Sequence, residues 1–227
     1  ATPAAHLKRL LLGLALDADL VLDLHCENAG VVHLYTLTPL ADQCRPLAAL
    51  LGAHALLLAE ESGGHPFDEA CSQPWLSLQR AYPDHPIPLA CCAVTVELRG
   101  EADVTHAYAT VDAEALVAAM ILAGAIADPM PRLPMARCRP TRLSDVELLT
   151  APMPGILVMH RPVGTRVVPG DLVAEIIDPT TGASAELRPD HAGVLFAHES
   201  VRFVTAGRSV AKIAGTEVGR SGPLLGT

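Results

Sequence analysis

Two residues stand where aliphatic sequence gives way abruptly to polar sequence: His25 in "VLDLHCENAG" (21–30) and Glu97 in "VTVELRG" (94–100). A neutral imidazole at a strand end can hydrogen-bond a neighbour or donate a nitrogen to a divalent metal, and the first use is the commoner one. A carboxylate at the end of an apolar strand is costly to bury without a partner. Glu97 is therefore either paired, with Arg99 the nearest cation, or kept for proton transfer. Cys26 and Glu27 add nothing to His25 on this reading, because consecutive strand residues face opposite ways.

The elements that must position these residues follow from periodicity. "AAHLKRLLLGLALDA" (4–18) has apolar residues at helical spacing, "DLVLDLHC" and "VVHLYTL" read as strands, and "LAALLGAHALLLA" (47–59) reads as a helix. "ACCAVTVEL" (90–98) is the continuous apolar run of a strand covered on both faces. "DAEALVAAMILAGAI" (112–126) reads as a helix with Asp112 as its N-cap. Alternating strands and helices predict an α/β sandwich, in which ligands gather beyond the carboxyl ends of strands, where His25 and Glu97 stand.

Charge marks a boundary. Residues 1–130 hold sixteen acids and five Lys or Arg, whereas residues 131–227 hold nine acids and eleven Lys or Arg. The change coincides with "DPMPRLPMARCRP" (128–140), whose four prolines exclude a helix or an interior strand, so residues 131–141 read as a linker. Beyond it, residues 142–218 are all-β in texture and 219–227 form a tail. "VGTRVVPGDLVAEI" (163–176) and "ESVRFVTAGRSVAKI" (199–213) resemble one another, which suggests a small pseudo-symmetric sandwich of the biotinyl/lipoyl type. Carriers of that type modify a lysine at a hairpin tip, but Lys212 lies within a strand pattern, which argues against a carrier role.

The whole chain narrows the functions further. A net charge of −9 and 3% aromatic residues argue against nucleic acid as a partner. Asp17, Asp19 and Asp23 interrupt the apolar stretches, so no segment reads as membrane-spanning. Six cysteines without C-x-x-C spacing, and a start without a signal-peptide pattern, fit reduced thiols in a cytoplasm.

"ADLVLDLHCENAGVVHLYT", "ESGGHPFDEACSQPW" and "VTVELRGEADV", in that order and followed by the β tail, closely resemble the bacterial succinylglutamate desuccinylase/aspartoacylase family, relatives of the zinc carboxypeptidases. The resemblance runs over nearly the whole chain. It implies a zinc carboxypeptidase-like mixed sheet flanked by helices in residues 1–130, and hydrolysis of the amide of a small N-acyl amino acid. It also implies Zn²⁺ as cofactor, His25 as the third zinc ligand and Glu97 as the general base. Such chemistry needs a metal to polarise the carbonyl and acidify water, and a carboxylate to take the proton.

The same family draws its first two zinc ligands from an H-x-x-E motif upstream, and this sequence contains none; His65-Pro66-Phe67-Asp68 is the nearest imitation and lies downstream. The expectation is a C-terminal part of a longer enzyme or a truncated relative, with impaired zinc binding and a sheet edge open to dimerisation. The alternative is a catalytically inactive binding or regulatory protein on the same scaffold. Asp68 and Glu69, in the "ESGGHPFDEA" loop (61–70), read equally as pocket-lining residues and as part of a plain loop, with Asp68 as a substrate-binding candidate. Arg99 is expected to orient Glu97 or to bind a substrate carboxylate. His33 and Tyr35 share one strand face and read as half-buried core residues, with a place at the border of the site as the alternative. Cys91 and Cys92 read as small hydrophobes.

Overall fold

A computed structural model describes residues 2–64, 66–215, 218–221 and 224. The first part alternates helix and strand: α1 (Pro3–Ala15), β1 (Leu20–Glu27), β2 (Ala29–Gly30), β3 (His33–Leu37), α2 (Ala41–Leu50), β4 (Ala55–Ala59), α3 (Phe67–Ala81), β5 (Cys92–Gly100) and α4 (His106–Leu122). A short strand, β6 (Pro140–Arg142), completes its sheet in the order β1-β5-β3-β4-β6. β1 runs parallel to β5, β5 antiparallel to β3, and β3 parallel to β4, which runs parallel to β6. The fold is mixed α/β, as the alternation predicted, and β1 lies at a sheet edge.

Alternation along the strands sorts the two faces. Leu34, Leu56, Val94 and Val96 pack with residues of α2 and α4 into the larger core. Ala93 and partly buried Val21 meet Cys71 and Trp75 of α3 on the other face. Farther along that second face, Leu57 and Ala59 pack against Phe196 and Ala197 of the β region. Among the described residues no helix is long and apolar enough to cross a membrane.

Three expectations fail here, each for a local reason. The run 47–59 is not one helix, since α2 ends at Leu50 and Gly52, at φ 62°, reverses the chain before the fully buried strand Ala-Leu-Leu-Leu-Ala. Asp112 does not cap α4: the cap is Thr105, whose hydroxyl accepts from Tyr108 N at 3.1 Å, and Asp112 lies buried within the helix. The 61–70 loop stops at Pro66, after which Asp68 and Glu69 occupy the first turn of α3. The Pro-rich stretch also does more than link, because its end, Pro140–Arg142, pairs with β4 as an edge strand.

The remaining strands are β7 (Val146–Thr150), β8 (Gly155–Met159), β9 (Arg166–Val167), β10 (Ala174–Ile177), β11 (Ser184–Leu187), β12 (Gly193–His198), β13 (Phe203–Val204) and β14 (Ser209–Gly215). They form two sheets, β11-β10-β8-β13 and β2-β12-β14-β7, with β9 also paired to β12. The sequence repeat has its counterpart in register. Leu157 pairs with Ile176 and Val204 with Gly155 in one half, as Leu195 pairs with Ile213 and Val167 with Gly193 in the other. Gly155 and Gly193 are fixed by that approach: a Cβ on either would sit 2.5 Å from a carbonyl oxygen, of Ile177 or of Ala214. β2 ties the regions together, Gly30 pairing with Ala197.

Candidate active site

The pairing of β1, β5 and β3 brings the chemistry together, because His25 is registered with Glu97 and Glu97 with His33. Asp23, His25 and Glu27 come from the end of β1, Thr95 and Glu97 from the end of β5, and Asp68 from the first turn of α3. They border one cavity of about 330 Å³, with Lys212 of β14 on its far side. A bulge follows His25, so Glu27 pairs with Gly100. Glu27 and Lys212 form an ion pair across the two regions.

His25 is half exposed, and its Nε2 lies 3.0 Å from Asp23 Oδ2. In the neutral ring, donation from Nε2 to that carboxylate keeps the lone pair on Nδ1, the arrangement a carboxylate imposes on a metal-binding histidine. Glu97 is 9% exposed and its Oε2 has no hydrogen-bond partner. Burial, and then the nearby Glu27 carboxylate, push it up to about 7, against the opposing pull of His25 and Lys212. Asp68 is 4% exposed, its Oδ1 is unpartnered, and burial first of all pushes it up to about 6. Glu69 is committed elsewhere, accepting from Ser62 N at 2.9 Å.

His33 is fully buried, tilted against Phe196 and edge-on to Tyr35 with centroids 4.7 and 5.3 Å away. Its Nδ1 donates to Val31 O at 2.7 Å, which leaves the lone pair on Nε2, an atom without a partner. Burial pushes this imidazole down to about 4, so it is neutral. Among the described residues, Glu27, His33 and Glu97 form a group of metal-capable side chains with one donor atom from each within 4.8 Å of the others.

Of the expected site residues, His25, Glu97 and Asp68 share the cavity. Arg99 does not. It has the positive φ of 87° that breaks strand alternation, and its guanidinium grips Asp112 at 2.7 and 3.0 Å and lies 4.3 Å over Tyr108. It therefore neither orients Glu97 nor faces this cavity. His65, the start of the H-x-x-D imitation, lies outside the described residues. Sequence reasoning missed Glu27, His33 and Lys212 as members of the site. Setting Glu27 aside with Cys26 was the error: alternation turns Cys26 away from His25, but Glu27, two residues on, shares the face of His25 by the same rule.

Zinc, which the resemblance implies, finds a partial fit. His25 suits one ligand position, but the three-donor group does not include it. The described residues thus do not gather a ligand set around His25.

No protein-family model matches this sequence, and neither does any curated protein. Solved structures do match. The chain is similar to a succinylglutamate desuccinylase/aspartoacylase family protein from Shewanella amazonensis SB2B, with 26% identity and a TM-score of 0.81 over 94% of this chain and 59% of that one. A protein of the same designation from Shewanella frigidimarina NCIMB 400 matches at 24% identity and a TM-score of 0.80, over 91% and 56%. The ectoine utilization protein EutE (DoeB) from Ruegeria pomeroyi shares the fold at 17% identity and a TM-score of 0.68, over 94% and 64%. The chain spans less than two thirds of the length of each. The structural neighbours that cover most of this chain are thus succinylglutamate desuccinylase/aspartoacylase family proteins.

Proposed function

We propose that this chain carries part of the active site of a zinc-dependent deacylase that hydrolyses the amide of a small N-acyl amino acid. The observation that carries the reading is Glu97: a buried carboxylate with an unpartnered oxygen, raised to about 7, beside His25 at the carboxyl ends of parallel strands. A base so tuned takes a proton readily near neutral pH and returns it readily. In this reading Glu97 Oε2 removes a proton from the attacking water and delivers it to the leaving nitrogen. Asp23 holds His25 with its Nδ1 free, and Asp68 borders the substrate. A bound zinc would supply carbonyl polarisation and a more acidic water.

Because the described residues offer His25 but no companions around it, the chain alone holds zinc weakly at His25 and is a slow enzyme. The β region belongs to the same proposal. Its two strand-exchanging halves support a biotinyl/lipoyl-type unit without a carrier role, since Lys212 is engaged with Glu27 instead of standing at a hairpin tip.

The test supplies zinc and the part of the Shewanella amazonensis protein that this chain does not cover, fused to this chain, and follows amine release from N-succinylglutamate and an N-acylaspartate. Turnover should appear in the fusion, and Glu97→Gln should lower kcat by about two to four orders of magnitude with little change in KM. Near-normal kcat in a folded, zinc-loaded Glu97→Gln fusion would return Glu97 to a structural role. No turnover by any fusion that binds zinc would favour a non-catalytic scaffold.

A further inference from the structure

The three-donor group has a feature that the deacylase reading leaves unexplained. His33 is fully buried, the hydrogen bond from its Nδ1 to Val31 O leaves the lone pair on Nε2, and the ring stands with the carboxylates of Glu27 and Glu97 in one group. Once Glu97 has released its proton, two carboxylates and a neutral imidazole nitrogen are all acceptors. Facing one another in a buried place, they cost free energy unless a proton or a cation lies among them. Neither His33 Nε2 nor Glu97 Oε2 hydrogen-bonds any described residue, yet one donor atom from each of the three side chains lies within 4.8 Å of the other two.

From this juxtaposition we infer that Glu27, His33 and Glu97 form a divalent-cation site distinct from the His25 position, suited to Zn²⁺ or a neighbouring first-row metal. One imidazole and two carboxylates are a donor set for such ions. Metal bonds of about 2.0 to 2.2 Å at tetrahedral angles place two ligand atoms about 3.3 to 3.6 Å apart, so donors within 4.8 Å of one another close on a cation with shifts of up to about 0.8 Å each. The ring is already prepared. Its donation to a backbone carbonyl is the second interaction that orients metal-binding histidines, and Tyr35 and Phe196 restrict its tilt.

Lys212 is the group that opposes this site. Its ammonium occupies one oxygen of Glu27 and repels an incoming cation, so the lysine and the metal compete. Occupancy also ties up the Glu97 oxygen that a general base needs, so zinc in excess of the one ion that a completed His25 position takes inhibits the proposed deacylase chemistry. The inference does not rest on the deacylase reading, and either can fail alone.

Equilibrium dialysis of the full chain against Zn²⁺, with bound metal measured by elemental analysis, tests it. The expected result is one saturable zinc retained in His25→Ala and weakened by about tenfold or more in both His33→Leu and Glu27→Gln. Lys212→Met should strengthen binding by about tenfold, through loss of the competing charge. Where His33→Leu does not fold, Glu27→Gln and Lys212→Met decide alone. The His33 Nε2 nitrogen, followed by ¹⁵N NMR, should shift on zinc addition while Nδ1 stays protonated. Zinc lost in His25→Ala but kept in Glu27→Gln overturns the inference, as does the absence of saturable binding in wild type and Lys212→Met, which leaves a bound water only.

Discussion

Two pairs of buried carboxylates, one in the β region and one in the cavity, are treated in opposite ways. In the β region Glu147 accepts from Asp190 N and His191 N at 2.7 and 3.0 Å. Glu199 accepts from Val201 N and from Arg208; its burial alone would raise it, but those contacts hold it below its ordinary value. In the cavity Glu97 and Asp68 each keep an unpartnered oxygen and are both raised. Burial is similar, at 8% and 5% exposure for the first pair and 9% and 4% for the second. What differs is the supply of donors. Carboxylates that hold a fold together are given N–H groups, whereas those left short of them cost stability and gain reactivity.

Substitutions can break or sharpen this contrast. The largest effect should come from Glu147→Leu, which strands two backbone N–H groups and should cost about 3 kcal/mol in urea unfolding. If stability is unchanged, the β-region carboxylates are not structural in the sense claimed. Next comes Glu97→Gln, which should stabilise the chain, by about 1 kcal/mol at pH 8, because it removes a charge that burial disfavours. The sign follows from proton linkage. Between the ordinary carboxylate range and about pH 7, folded Glu97 keeps a proton that the unfolded chain has released, so stability falls as pH rises through that window. Thermal melts from pH 5 to 8 should show this slope in wild type and a flatter one in Glu97→Gln; equal slopes would refute the assignment. The smallest gain should come from Asp68→Asn, under about 1 kcal/mol, centred near pH 6 instead of 7. A loss of stability there would mean that Asp68 is a structural acceptor after all.

How much of this was legible in the sequence depended on range. β1 and β5 were visible as aliphatic runs, and their polar ends singled out His25 and Glu97, which the strand register brings to one cavity. His33 was assigned to the core, which its burial agrees with, but its meeting with Glu97 depends on an antiparallel register between strands sixty-four residues apart, which periodicity does not encode. Arg99 was paired with Glu97 by strand alternation, and one residue with positive φ was enough to send it to Asp112. The run 47–59 misled because apolar composition alone does not distinguish a buried strand from a helix; Gly52 was the clue. Asp68 was found near the pocket although α3, which carries it, was read only as a loop.

The exchange of short strands between the halves of the β region has one more consequence. β9 leaves the first half to pair with β12, and β13 leaves the second to pair with β8, so each half is completed by the other. The arrangement is that of a domain-swapped dimer whose two subunits have been joined into one polypeptide. A single half on its own has an unmatched strand to offer and an unmatched strand to receive, and a second identical copy can satisfy both.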